Sequence, residues 1–126
     1  MIKLEKKESI YFLTMDAGEN RWNTTFVREI AKALDTIEDD EGPGALITSA
    51  TDSKFFSNGL DLDWMQAPED YPDGGDREVF GEEFMYLMGR FITLPIPTIC
   101  ALNGHTFGAG FMFALSHDFR IMREDR

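Results

Sequence analysis

Two short runs in this chain combine glycine, small residues and apolar flanks in a way that frees backbone N–H groups. The first is Phe55-Phe56-Ser57-Asn58-Gly59-Leu60-Asp61-Leu62. The second is Asn103-Gly104-His105-Thr106-Phe107-Gly108-Ala109-Gly110. Each carries an apolar, strand-like segment into a glycine bend and then into a helical segment. The first N–H groups of a helix have no partner inside it, so such a bend presents donors to whatever lies above it. A negative oxygen or a phosphate suits those donors. Neither run is a nucleotide fingerprint: the second spaces its glycines G-x-x-x-G-x-G and lacks the Gly-Lys-Ser/Thr of a P-loop. One N–H from each run converging on a single oxygen would make an oxyanion hole. Losing one donor from such a hole costs about 10²–10³ in rate, or roughly 3–4 kcal/mol.

Other residue types invite chemistry and also have plainer uses. His105 adjoins the second bend and could be a base, but such a histidine more readily bonds a loop carbonyl. His117 precedes Asp118 at a helix end, where a cation complements the dipole. Asp61 adjoins the first bend, where an N-cap is the simpler role. Asp63, Glu82 and Glu83 read as solvated helix faces, and Trp64 and Met65 as core. Asn103 ends a strand by turn chemistry. The single Cys100 lies in an apolar strand, which favours a packed, inert thiol. The segment 16–22 is either an entrance to the site or an ordinary loop.

The elements that must position these runs alternate. Strands are predicted at 2–6, 10–15, 45–49, 54–57, 99–102 and 119–122. A helix capped by Thr24 or Thr25 runs to about Asp39, with Phe26, Ile30, Leu34 and Ile37 at helical spacing. Asp61 caps a short helix through Trp64 and Met65. Residues 67–75 form a polar loop. A longer helix spans 76–93, with Phe80, Phe84, Leu87, Met88 and Phe91 on one stripe, and ends before Pro95 and Pro97. The run Phe111-Met112-Phe113-Ala114-Leu115 has no polar face, so burial on all sides is expected. No internal repeat is visible. The alternation indicates an α/β domain with right-handed crossovers. A last strand with no closing helix suggests a longer protein, cut where its sheet would continue.

Bulk properties set limits. The 126 residues fit one domain and are ordinary globular material at 43% hydrophobic and 13% aromatic. A formal charge of −11 argues against nucleic acid or an anionic membrane as main partner. The charged start is no signal peptide, and the longest apolar stretch, 91–102, is short and interrupted by prolines, so no integral membrane segment is expected. One cysteine permits no internal disulfide and fits a reducing, intracellular compartment.

Taken in order, F-F-S-N-G-L-D-L and I-P-T-I-C-A-L-N-G-H-T-F-G-A-G-F resemble the crotonase (enoyl-CoA hydratase/isomerase) superfamily. The resemblance extends from the strand at 10–15 to Ser116-His117-Asp118-Phe119-Arg120-Ile121-Met122. It implies an α/β spiral of β-β-α repeats, of which residues 1–126 would be the N-terminal portion of a single domain, cut before its C-terminal helices. It also implies an acyl-CoA thioester as substrate, with coenzyme A part of that substrate, no separate cofactor and no metal. In the family, the residue between the Gly and Asp of the first motif gives one oxyanion N–H, here Leu60. The middle residue of the second glycine triplet gives the other, here Ala109. Asn58, Gly59, Leu60, Asp61, Leu62 and Ala109 would contact the substrate, largely through backbone.

The chain departs from the hydratase pattern at Met112, where hydratases carry a glutamate; the family's second glutamate would fall beyond Arg126. Members with only the second are typically Δ3-Δ2-enoyl-CoA isomerases of fatty-acid oxidation. The run S-N-G-L-D-L-D-W with Ser116-His117-Asp118 is most similar to that branch. An apolar Phe111-Met112-Phe113 wall would keep water from a dienolate intermediate. Hydration, thioester hydrolysis, dienoyl isomerisation and a non-catalytic acyl-CoA-binding role stay open at this point. Family members assemble as homotrimers or pairs of trimers, so a trimer or hexamer is expected.

Overall fold

A computed structural model describes residues 1–67 and 75–125. The elements, in order, are β1 (Ile2–Lys7), β2 (Ile10–Met15), α1 (Thr24–Glu38), β3 (Ala45–Ala50), β4 (Phe55–Ser57), α2 (Leu62–Gln66), α3 (Phe80–Thr93), β5 (Thr98–Leu102), β6 (His105–Thr106), α4 (Ala109–Leu115) and β7 (Phe119–Met122). Five strands form one sheet in the order β1-β2-β3-β5-β7, antiparallel only between β1 and β2. The other two, β4 and β6, pair in parallel as a small second sheet. The chain thus winds through β-β-α units: β1-β2-α1, then β3-β4 with α2 and α3, then β5-β6-α4, with β7 opening the next. This is the expected spiral of the crotonase resemblance. No helix among the described residues is long and apolar enough to cross a membrane.

Packing follows the apolar stripes. Phe26, Ile30, Leu34 and Ile37 of α1 and Phe80, Phe84, Leu87, Met88 and Phe91 of α3 are all buried. Trp22 lies between them, fully buried, in edge-on contact with Phe26, Phe84 and Phe113 at 4.8–5.1 Å. Two helix starts differ from the sequence reading. Asn23, not a threonine, caps α1, accepting from the Phe26 N–H at 2.8 Å. Thr24 instead buries its hydroxyl and donates to the Asp76 carbonyl at 2.6 Å. That bond and an Asx turn, in which the Asp76 carboxylate accepts from the Glu78 N–H, hold residues 76–79 outside α3. Most of the loop expected at 67–75 lies outside the described residues.

The expectation of a helix buried all round is corrected at α4. Gly110, Phe113 and Ala114 are buried, but Phe111, Met112 and Leu115 are 53%, 43% and 52% exposed. The helix packs one side on β4 and β6, and no described element covers the other. Phe113 is therefore a core residue, fully enclosed among Trp22, Phe56 and Phe91, and not part of a wall facing a ligand.

Candidate active site

Both glycine bends sit where a strand of the small sheet hands over to a helix, β4 to α2 and β6 to α4. Gly59 has φ +85° and Gly108 φ +51°, left-handed conformations that glycine adopts without strain. The two bends touch. A Cβ on Gly59 would lie 3.0 Å from the Phe107 carbonyl oxygen and 3.8 Å from the Gly108 Cα. A side chain at Gly59 would force them apart.

The backbone around Leu60 is committed on one side only. Trp22 and Leu60 form an isolated parallel bridge. The Trp22 N–H donates to the Gly59 carbonyl at 2.8 Å, and the Asp61 N–H donates to the Trp22 carbonyl at 2.9 Å. These are the groups flanking Leu60, so its own N–H points away from the 20–22 segment. Ala109 is the first residue of α4. The Gly110 N–H donates to Phe107 at 2.8 Å and the Met112 N–H to Gly108 at 3.1 Å. Among the described residues, neither the Leu60 N–H nor the Ala109 N–H has an acceptor. Because α4 has only seven residues, what it offers at its start is this unengaged N–H more than a helix dipole.

The remaining expected contacts divide. Asn58 is tied to Glu19 twice, by its backbone N–H to the carbonyl at 2.8 Å and by its amide to the carboxylate at 3.3 Å. Asp61 is the N-cap of α2, accepting from the Trp64 N–H at 3.2 Å. Leu62 turns to solvent at 52% exposure. The structure thus sets the 58–62 run against the 107–109 bend through Gly59 and Gly108, with the Leu62 side chain exposed. Beside the first bend an open cleft of about 490 Å³ is lined by Glu19, Arg21, Asn23 and Asp61, among others, which puts the 16–22 loop at its edge.

The titratable groups nearby are engaged elsewhere. Arg21, with help from Asn58, holds the Glu19 carboxyl below the usual carboxylate range. The N–H groups of Phe55 and Lys54 do the same for Asp52. Arg28 does so for Glu83. None of these is a base with raised proton affinity. His105 does not rest its ring on a loop carbonyl: the ring lies between Phe55 and Phe107, 5.6 Å from each. His117 is no charged partner of a helix dipole. Burial pushes its pKa down to about 4. Its Nδ1 faces the Phe113 carbonyl at 2.9 Å, so that nitrogen donates and Nε2 accepts from the Thr48 hydroxyl at 2.8 Å. Cys100 is buried, its thiol pushed up to about 12 by desolvation, as expected of an inert core residue.

Sequence reading missed a cluster behind the first bend. Asn20, Trp22 and Ser57 are fully buried and hydrogen-bonded to one another. Asn20 is left-handed, with φ +51°. An asparagine in a turn was the only local signal of it, since Phe56 and Ser57, which it bonds, lie more than thirty residues away.

A sequence profile described as enoyl-CoA hydratase/isomerase matches residues 5–125. The chain is 36% identical over 128 residues to enoyl-CoA delta isomerase 2, peroxisomal, of Arabidopsis thaliana, covering 100% of this chain and 53% of that protein. It is 34% identical over 129 residues to enoyl-CoA delta isomerase 3 of the same plant, with the same coverage of each. Among solved structures, an enoyl-CoA hydratase from Bacillus anthracis superposes with a TM-score of 0.82 at 22% identity, over 96% of this chain and 46% of that one; this shows the fold. The chain spans about half the length of the curated relatives it matches. The spiral, the paired glycine bends and the match across nearly the whole sequence agree: the chain belongs to the enoyl-CoA hydratase/isomerase family.

Proposed function

We propose that this chain carries the carbonyl-polarising half of a Δ3-Δ2-enoyl-CoA isomerase. One observation carries the reading: two left-handed glycine bends touch, and each is followed by a backbone N–H without an acceptor among the described residues. A thioester oxygen seated between the Leu60 and Ala109 N–H groups is polarised, and the carbon beside it becomes acidic. Loss of a proton from C2 of a 3-enoyl-CoA gives a dienolate whose charge rests on that oxygen. Return of the proton at C4 gives the conjugated 2-enoyl thioester. The step needs one base and no water. Met112 supports isomerisation over hydration, because a thioether cannot activate water. The names of the two Arabidopsis relatives support it too. Phe111 and Met112, exposed on α4, offer apolar surface next to the donors.

Asp61 is spent on its cap and Glu19 on Arg21, and the resemblance to the family puts the base, a glutamate, beyond residue 126. Coenzyme A arrives with the substrate, and no separate cofactor is invoked. A homotrimer or hexamer inside the cell completes the reading; the peroxisomal relative supports the location.

Two assays test it. Incubated with 3-enoyl-CoA, the intact protein is expected to generate the absorbance of the conjugated thioester, and with 2-enoyl-CoA to add no water. Hydration without isomerisation sinks the reading, and inertness toward both leaves acyl-CoA binding alone. Ala109→Pro removes the second donor at the first helical position, where proline fits. Its kcat is expected to fall about 10²–10³-fold; a folded variant with unchanged kcat would take Ala109 out of the site.

A further inference from the structure

We infer that Ser57 is the positioning residue of this site, one enclosed residue whose side chain and carbonyl together hold both proposed donors in register; the inference rests on the function proposed above. A serine hydroxyl has one hydrogen to give and two lone pairs to offer. In Ser57 all three are used. The hydrogen goes to the Asn20 carbonyl at 2.8 Å. The lone pairs accept from the Trp22 indole N–H at 3.1 Å and the Gly59 N–H at 3.4 Å. Ser57 is fully buried. A hydroxyl so occupied has nothing left for a substrate, which excludes it as a nucleophile and leaves it a structural joint.

The joint reaches both bends. Gly59, whose N–H bonds to the hydroxyl, immediately precedes Leu60. On the other side, the Phe107 N–H donates to the Ser57 carbonyl at 3.0 Å. A Cβ on Gly110 would lie 2.5 Å from both Cβ and Oγ of Ser57, so α4 rests its backbone directly on this side chain. Phe107 and Gly110 bracket Gly108 and Ala109. One residue therefore fixes the chain next to each donor. Its far anchor is firm: Asn20 accepts from the Ala17 N–H through its side chain and donates to the Phe56 carbonyl, both at 3.0 Å. Misplacing a catalytic group by about 1 Å can cost on the order of 10²-fold in rate, so loosening this joint is expected to act on turnover and not on substrate affinity.

The test compares intact wild type with Ser57→Ala, which keeps the Cβ against α4 and deletes the hydroxyl. With 3-enoyl-CoA the variant is expected to lose at least about 10-fold in kcat with KM within about 2-fold. Ser57→Cys, nearer in size and a weak hydrogen-bonding group, is expected to fall between. It carries the comparison if the alanine variant does not fold. Unchanged kcat in a folded variant, or a raised KM with unchanged kcat, overturns the inference. Amide chemical shifts give a readout independent of catalysis. Those of both Leu60 and Ala109 are expected to move in the variant, and movement of Leu60 alone overturns the joint. If wild type leaves 3-enoyl-CoA untouched, the isomerase reading fails, and the amide shifts still decide whether Ser57 couples the two bends.

Discussion

His117 closes α4 as a neutral ring, with its Nε2 on Thr48 of β3 and its Nδ1 on Phe113, and this sets a pH dependence for the fold. Its pKa is about 4 in the folded chain against an ordinary 6.5, so between those values the unfolded chain binds more protons. The stability it contributes is fully present above pH 6.5, declines as pH falls from there, and is gone below about 4; the gap corresponds to roughly 3 kcal/mol. Urea unfolding at pH 7 and pH 4.5 is expected to show a smaller drop in His117→Gln than in wild type. Equal drops would refute the assignment. Asp16, Glu19 and Asp52, whose carboxyls are held low by Thr51, Arg21 and the Phe55 N–H respectively, lose their contributions further into acid. Sequence could not show any of this. A histidine beside an aspartate looks the same whether it is solvated or sealed between Phe91 and Phe113. Leu60 and Ala109 became candidates only through the resemblance, because a backbone donor leaves no trace in side-chain chemistry.

Helices with a clear stripe were legible, and their ends less so. The periodic apolar positions of α1 marked its buried face, whereas its cap depended on which of three adjacent capping residues, Asn23, Thr24 or Thr25, faced the first turn. The structure gives that role to Asn23. Asn23→Ala is expected to cost about 1 kcal/mol in chemical denaturation. Thr25→Ala, at an exposed position, is expected to cost much less. If the two costs are reversed, the cap is misassigned. For α4 the signal failed for a different reason. An unbroken apolar run carries no period, so composition gave burial without saying how much of the helix the neighbouring elements could cover.

The β-β-α repetition belongs to the whole molecule and is invisible in the residues, since successive turns share backbone path and not side chains. The spiral leaves Phe119, Ile121 and Met122 of the edge strand β7 exposed, and Phe111 and Leu115 of α4 as well. An unpaired strand edge carrying exposed apolar side chains favours association. A polypeptide of residues 1–126 is expected to bind ANS strongly and to self-associate. Phe119→Lys with Ile121→Lys is expected to weaken both, as read by fluorescence and light scattering; no change would show that β7 is not the sticky surface. The pairing of β4 with β6 has a further consequence. Neighbouring strands in any sheet lie about 4.8 Å apart, and Leu60 and Ala109 each lie three residues past the paired Ser57 and Thr106, so both runs leave the small sheet at the same rung. The ladder thus gives the two bends a common starting line, and the turns beyond it carry one N–H of each run the same number of residues from a shared rung.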